Sequence, residues 1–99
     1  MNGLAKCTVD ELMRLLVPHH IRQIMGWNTN TALIMATNRA NRAITLNATE
    51  NCTSGVTCHM DDHFRITLPK EIRESVNINP KDTLTLEANV ASGVLTVSA

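Results

Sequence analysis

Residues 64–75 read FRITLPKEIRES, and residues 13–24 of the same chain read MRLLVPHHIRQI. The two stretches align at an offset of 51 residues, and at this one offset about a dozen residue pairs are identical without a gap. An internal repeat of this kind decides how the whole sequence is interpreted. It predicts two similar halves, at about residues 4–48 and 55–99, joined by a polar linker at 49–57.

The second half shows the local pattern most clearly. In FRITLP, apolar residues alternate with Arg65 and Thr67, which is the period of a half-buried strand. Pro69 then suits the first position of a helix, because its missing N–H has no intrahelical partner to lose. The stretch PKEIRESV consists mostly of good helix formers. Asn77 follows where a helix commonly ends in a left-handed residue, and Gly26 occupies the matching place in the first half.

Two alternating segments follow each predicted helix. They are residues 83–88 (TLTLEA) and 93–98 (GVLTVS) in the second half, and 31–37 (TALIMAT) and 42–47 (RAITLN) in the first. Half of a 99-residue chain has too little apolar surface to fold alone, so the halves should share one core. We predict one domain, residues 1–99, mainly β with two short helices. Its two ββαββ halves should form an interleaved β-barrel with pseudo-twofold symmetry.

The composition is that of a globular protein, with 43% hydrophobic and 18% charged residues. No apolar run approaches the roughly 20 residues that span a bilayer, and the N-terminus lacks the basic and apolar regions of a signal peptide. Three cysteines, an odd number, fit free thiols in a reducing compartment. The sequence therefore predicts a cytoplasmic protein without membrane association. Its formal net charge of zero provides no electrostatic argument for nucleic-acid binding.

Residues 9–27 (VDELMRLLVPHHIRQIMGW) and 60–78 (MDDHFRITLPKEIRESVNI) both resemble the N-terminal DNA-binding domain of the AbrB/SpoVT/MazE swapped-hairpin family. That family typically shows an acidic residue, then Gly-Arg, alternating aliphatic residues, Pro-Lys-Glu-Ile-Arg and a helix end near Gly. The resemblance covers nearly the whole chain in two copies, and the Asp-x-x-x-Arg element of each copy makes the arrangement similar to that of MraZ proteins. It implies a single-chain version of a two-chain barrel, acting as a sequence-selective DNA-binding protein and transcriptional regulator.

The resemblance assigns contact with double-stranded DNA to five basic residues, which are Arg14, Arg22, Arg65, Lys70 and Arg73. Arginine suits this role because its planar fork of donors can grip phosphates or the O6/N7 edge of guanine with two hydrogen bonds. Two related sets of arginines suit two DNA half-sites. The competing interpretation is structural, in which the arginines are solvated surface residues or ion-pair partners of the aspartates that precede them.

The two copies depart from the family pattern in ways that weaken the predicted DNA face. Met13 and Phe64 replace the usual glycine before arginine, which makes the backbone less permissive and suggests a reshaped loop. The first half has a histidine where the second has Lys70, and Gln23 and Glu74 stand where many relatives have a second basic residue. If about five basic side chains contact phosphates, log K should fall with log salt with a slope of about −4 to −5.

Leu16 and Ile34 are more apolar than Thr67 and Thr85 at the matching positions. They either thicken the local core or form a contact surface for another chain, and so a homo-oligomer. A contact surface would suit a protein-interaction or antitoxin-like module on the same fold, with weak or lost DNA binding. MazE-like antitoxins usually carry a segment beyond the barrel that wraps a toxin. No such segment is expected here, because the sequence ends as the last predicted strand finishes.

Cys52, Cys58, His59 and His63 have side chains that suit zinc, but they lack the short Cys-x-x-Cys spacing of structural sites. Cys7 matches Cys58 in the repeat, and both are interpreted as small buried apolar residues. No Gly-rich phosphate loop, nucleophile elbow or metalloprotease helix motif is present. The sequence therefore predicts no metal, no cofactor, no small-molecule substrate and no catalytic residue.

Overall fold

The computed structural model describes residues 2–38, 42–48 and 55–98. Within these ranges the elements are β1 (Asn2–Thr8), β2 (Arg14–Leu16), α1 (His19–Met25), β3 (Leu33–Asn38), β4 (Ala43–Ala48), β5 (Val56–Cys58), β6 (Arg65–Thr67), α2 (Lys70–Val76), β7 (Thr83–Asn89) and β8 (Val94–Ser98). The predicted order of strand, strand, helix, strand, strand occurs twice, so the protein is mainly β with two helices. Most of the predicted linker, residues 49–54, lies outside the described residues.

The described strands form two antiparallel sheets. One has six strands in the order β1-β7-β8-β4-β3-β5, and the other is a two-stranded ribbon of β2 and β6. The β3–β4 and β7–β8 pairs join neighbours within a half. The β1–β7, β2–β6, β3–β5 and β4–β8 pairs join the two halves. The halves therefore complete one another's sheets and share one core, as expected for a chain of this length.

Two of the pairings between halves bring matching residues of the repeat face to face. Leu15 lies opposite Ile66 at the centre of the β2–β6 ribbon, and Thr45 lies opposite Thr96 in the β4–β8 pair. Each of these pairs is separated by 51 residues, the offset of the sequence repeat. The repeat in the sequence therefore corresponds to a repeat in the strand pairing.

The predicted closed barrel is not confirmed, because the described strands leave the larger sheet open, with β1 and β5 at its edges. The ribbon strands are three residues long, and a proline, which cannot donate a ladder hydrogen bond, follows two residues after each. Past the ribbon, the pairing continues only as single backbone bonds from Val17 N to Phe64 O (3.0 Å) and from Leu68 N to Met13 O (2.8 Å).

Both helices begin directly after a proline and span seven residues. Pro18 and Pro69 are N-cap residues with extended ψ values of 152° and 153°, so Pro69 is not the first helical residue as the sequence suggested. The fixed φ of proline suits either position. The helices end as predicted, at Gly26 (φ 70°) and Asn77 (φ 57°) in the left-handed region. Neither described helix has the length and apolarity needed to cross a membrane.

The core is mainly aliphatic, with Trp27 also buried in it, and joins the helices to the sheets. Ile21 of α1, together with Ile72 and Val76 of α2, is buried in the same cluster as the sheet residues. The largest fully buried sheet side chains are Leu15, Leu33, Met35, Ile44, Leu46, Ile66, Leu84, Leu86 and Leu95. Every buried side chain among the described residues is apolar. Removal of apolar surface from water therefore holds the halves together.

Gly55 leads into β5 and allows that strand to lie close to β3. Its φ is +125°, a backbone conformation that residues with a Cβ rarely adopt, and a Cβ at this position would lie 2.5 Å from the carbonyl oxygen of Met35. Met35 pairs with Val56 where β3 and β5 begin their contact. Glycine is therefore required for the entry of the chain into β5.

Replacing Gly55 with alanine should lower the free energy of unfolding by about 2–4 kcal/mol, because backbone strain and overlap with Met35 both oppose a side chain. Urea unfolding followed by circular dichroism measures this loss. Gly26→Asn is the matched control, because no atom lies within 4 Å of a Cβ at Gly26 and asparagine already stands at the matching position 77. The control should change the free energy by less than about 1 kcal/mol; equal losses would contradict this account.

Candidate nucleic-acid interface

The β2–β6 ribbon turns two arginines away from the core. Its central residues, Leu15 and Ile66, are fully buried, and successive strand side chains point to opposite faces. The outward residues are therefore Arg14, Leu16, Arg65 and Thr67. Arg14 lies opposite Thr67, and Leu16 lies opposite Arg65. This register makes the two arginines diagonal neighbours on one face, with Cα atoms about 7–8 Å apart by general antiparallel geometry.

Each of these arginines is held by the aspartate four residues before it. Asp10 Oδ1 accepts hydrogen bonds from the backbone N–H groups of Leu12 (2.9 Å) and Arg14 (2.8 Å). Asp10 Oδ2 accepts a third from Arg14 Nε at 2.7 Å. One carboxylate therefore closes the β1–β2 loop and also fixes the direction of the arginine side chain.

The second half repeats this arrangement. Asp61 Oδ1 accepts hydrogen bonds from the N–H groups of His63 (2.8 Å) and Arg65 (3.0 Å), and Oδ2 accepts one from Arg65 Nε at 3.1 Å. The ion pairs of the structural interpretation are thus both formed. The Arg14 and Arg65 side chains are still 26% and 29% exposed, and their Nη groups make no hydrogen bond to another described residue. These Nη groups are the donors that a ligand could use.

The loop hydrogen bonds change the titration of both aspartates. The pKa of Asp61 lies below the usual value, mainly because its carboxylate accepts a hydrogen bond from the N–H of Arg65. Partial burial raises this pKa, whereas the N–H of His63 and the charge of Arg65 lower it further. For Asp10, partial burial alone would raise the pKa, but the hydrogen bonds from Arg14 and Leu12 outweigh it and the pKa is lowered. Both carboxylates therefore stay charged at neutral pH and keep their arginines in place.

The two loops keep a backbone conformation that normally favours glycine. Met13 has φ 60° and Phe64 has φ 61°, in the left-handed region where a side chain costs about 1–2 kcal/mol. The sequence suggested that the loss of glycine would reshape the loops. Instead, Met13 and Phe64 both adopt the left-handed conformation, and the folded chain tolerates the backbone strain. Packing offsets it, because Met13 is buried in the core and Phe64 packs against that core.

Arg22 is held against the other half of the chain. Its Cζ lies 3.6 Å from the centroid of the Phe64 ring, and its Nε donates a hydrogen bond to Val17 O at 3.0 Å. Because Phe64 lies in the β5–β6 loop, this cation–π contact joins α1 to the second half. The sequence pattern predicts Arg22 as a DNA contact and does not indicate the stack, whose partners are far apart along the chain.

Lys70 and Arg73 lie on α2, which starts three residues after β6 ends. The Lys70 side chain is 76% exposed, and its Nζ lies 3.9 Å from Glu74 Oε1, a weak surface pair. Arg73 is half-buried and lines a cavity with Met13 at the C-terminal end of the helix. The segment from β6 through α2 therefore carries one well-exposed cation and one partly covered cation after Arg65.

Of the two predicted contact residues, Leu16 is exposed and Ile34 is not. Leu16 is 47% exposed, whereas Ile34 is 7% exposed. The neighbours of Ile34 along β3, which point to the opposite face, are also buried, so β3 is covered on both faces at this point. The prediction that Ile34 lies on a contact surface is therefore wrong. Leu12, in the β1–β2 loop, is 66% exposed and was not among the predicted contact residues. Comparison with the polar His63 at the matching position would have identified it as an unusually apolar surface residue.

The residues with metal-binding side chains do not come together among the described positions. Cys52 lies outside the described residues, and no group of three or more His, Cys, Asp or Glu in the described ranges could hold a metal ion. Cys7 and Cys58 are both half-buried free thiols. Burial raises the pKa of Cys58 to about 11, and the Cys7 thiol donates a hydrogen bond to Leu16 O at 3.1 Å. Both side chains therefore act as small packing groups.

Comparison with known proteins concerns mainly the second half. Residues 62–97 match the protein family described as "Antidote-toxin recognition MazE, bacterial antitoxin". No curated protein sequence matches the chain. The fold is similar to the solution structure of PHS018 from Pyrococcus horikoshii, with a TM-score of 0.57 and 16% sequence identity over 97% of this chain and 89% of that chain. The family match supports the resemblance for the segment that contains Arg65, Lys70 and Arg73. The tandem arrangement stays a prediction.

Acid should remove the stabilisation that Asp10 and Asp61 provide. Their pKa values in the folded chain lie below the unfolded value, which is about 4. The stabilisation is therefore fully present above about pH 4 and is lost as the pH falls through the lower folded-state values. Urea midpoints should fall steeply at acid pH for the parent chain and less steeply for Asp10→Asn/Asp61→Asn. Asp62→Asn is the control and should follow the parent; three identical profiles would contradict the assigned role.

Proposed function

We propose that this chain is a cytoplasmic, sequence-selective DNA-binding protein and transcriptional regulator of the AbrB type, in which one chain supplies both halves of the binding face. Its ligand is double-stranded DNA, and the proposal assigns it no catalytic residue, metal or cofactor. The DNA contacts are assigned to Arg14, Arg65, Lys70 and Arg73, with a lesser role for Arg22.

One observation carries this proposal, which is the pair of arginines on the outer face of the β2–β6 ribbon. A two-stranded β-ribbon fits the major groove of B-DNA, where arginine can bind guanine or phosphate with two donors. Asp10 and Asp61 occupy only the Nε side of each guanidinium. The Nη groups are therefore oriented before binding, which reduces the conformational entropy that binding would otherwise cost.

The strand register supports a pseudo-twofold arrangement of the site. Leu15 faces Ile66 and Thr45 faces Thr96, each residue opposite its counterpart in the repeat. An axis through these pairs would relate Arg14 to Arg65 and the first loop to the second. Such a site suits DNA with two similar half-sites, as two-chain regulators do. We propose that the tandem halves replace the two chains of a dimer, as the resemblance to MraZ proteins implies.

The two helices give the two halves of the proposed site different numbers of exposed cations. Lys70 at the start of α2 is exposed, whereas Arg22 on α1 is engaged by Phe64 and Val17. We therefore expect stronger contacts from the second half than from the first. With a formal net charge of zero, the affinity depends on these few cations, and we expect a log K against log salt slope of about −4 to −5.

Fluorescence anisotropy with labelled duplex DNA, selected from a random pool at low salt, tests the assigned face. Arg14→Gln/Arg65→Gln should lower the affinity about tenfold or more, because each arginine contributes a phosphate contact or a bidentate base contact, and the salt slope should fall by about 1 for each of the two that contacts a phosphate. Arg42→Gln is the matched control, since it removes an exposed arginine outside the ribbon, and it should bind like the parent chain. Equal losses in the double variant and the control would exclude the ribbon as the interface.

A second function, an antitoxin-type or other protein-interaction module on the same fold, is favoured by two observations. The family matched by residues 62–97 is described as an antidote that recognises a toxin. Leu12 and Leu16 are exposed apolar residues of the β1–β2 segment, 66% and 47% exposed, where the second half has His63 and Thr67. Apolar residues at these positions suit a protein surface, including that of a second copy of this chain.

Changing the exposed leucines to their counterparts tests this alternative. Leu12→His/Leu16→Thr should leave the fold intact, since the second half already carries these residues at matching positions. If the chain associates with itself through this surface, multi-angle light scattering should show the oligomer of the parent shift to monomer in the variant. A parent that is monomeric at all concentrations would contradict self-association through this surface.

A further inference from the structure

A small cavity lies beside Arg73, where the C-terminal end of α2 meets the β1–β2 loop of the other half. Its volume is about 200 Å³, and its lining combines the apolar residues Met13, Ile78 and Pro80 with the polar residues Arg73, Glu74, Asn77 and Asn79. The guanidinium of Arg73 makes no hydrogen bond or ion pair with another residue in the described part of the chain. The proposed DNA contacts account for the charge of Arg73 but not for the space beside it.

The backbone around this cavity repeats the backbone around Arg22. Ile78 N donates to Arg73 O at 3.0 Å, and Trp27 N donates to Arg22 O at 3.0 Å. On the loop side, Met13 O accepts from Leu68 N at 2.8 Å, and the matching Phe64 O accepts from Val17 N at 3.0 Å. Met13 and Phe64 also share φ values of 60° and 61°. The two sites therefore have the same frame and differ in their side chains.

At the Arg22 site, this frame is filled by aromatic side chains. The Phe64 ring is stacked 3.6 Å from Arg22 Cζ, and Trp27 occupies the position that matches Ile78. These are the only two aromatic residues of the chain. At the Arg73 site their places are taken by Met13 and Ile78, which are narrower than aromatic rings. The cavity beside Arg73 is thus lined by the two residues that match the aromatic side chains of the Arg22 site.

We propose that this cavity binds one planar aromatic ring, a phenylalanine side chain presented by a partner polypeptide, stacked on Arg73 as Phe64 is stacked on Arg22. The planar guanidinium attracts the electron-rich face of a ring, and Met13 and Ile78 supply apolar walls. A polypeptide is the favoured source because the occupant of the matching site is a side chain carried on a loop. This binding does not depend on the proposed DNA binding, and its test uses no DNA.

Titration of the isotope-labelled chain with N-acetyl-phenylalaninamide, followed by amide NMR shifts, tests the site. The amides of Met13, Arg73 and Ile78 should shift in a saturable way at millimolar ligand. N-acetyl-leucinamide, which has no ring, should bind several-fold more weakly. Adenine tests whether the ring is a nucleobase instead; tighter binding of adenine than of the phenylalanine compound would overturn the choice of a polypeptide. No saturable shifts with the phenylalanine compound would overturn the site itself.

Two variants and one control separate a ring site from surface adsorption. Met13→Phe should abolish binding, because phenylalanine, which the matching position 64 accepts at the same φ, would fill the cavity from within. Arg73→Gln should weaken binding about two- to fivefold through loss of the cation–π contact, and Arg42→Gln should not change it. If the NMR spectrum shows that Met13→Phe does not fold, the affinities of Arg73→Gln and Arg42→Gln decide whether the ring stacks on Arg73. Equal affinity in those two variants would contradict stacking on Arg73.

Discussion

Leu15 and Ile66 face each other across the β2–β6 ribbon, fully buried, and the remaining features of the proposed binding face depend on this contact. Because side chains alternate along a strand, burial of this pair turns Arg14 and Arg65 outwards. A slip of one residue would bury the two arginines and expose the leucine and isoleucine. The contact also joins one half to the other, so the same pair that seals the core sets the spacing of the two cations.

The local elements could be predicted from the sequence because short-range chemistry determines them. Alternation around Ile66, the proline before each helix and the left-handed residues Gly26 and Asn77 are all local signals, and each corresponds to an observed strand, helix start or helix end. The repeat also allows the elements of the first half to be predicted, because the second half shows the same pattern more clearly. It also identified the Asp-x-x-x-Arg elements, whose partners are four residues apart.

The features that could not be predicted depend on contacts between distant segments. The burial of Ile34 follows from β3 being covered on both faces, which alternation within β3 does not reveal. The stacking of Phe64 on Arg22 requires a loop of one half to lie on a helix of the other. The open sheet likewise depends on which strands pair across the halves. In each case the deciding neighbour is remote in sequence, and a pattern within one half contains no information about it.

The pairing of β1 with β7 has a consequence for how the chain is made. Asn2 pairs with Asn89, so β1 has no partner strand until the ribosome has also synthesised β7, which lies in the other half of the repeat. During that interval the apolar faces of the first half have neither the sheet nor the core that they later share. Contacts between such distant segments also slow folding. Nascent chains halted between the two halves are therefore the form most exposed to aggregation and to chaperone capture.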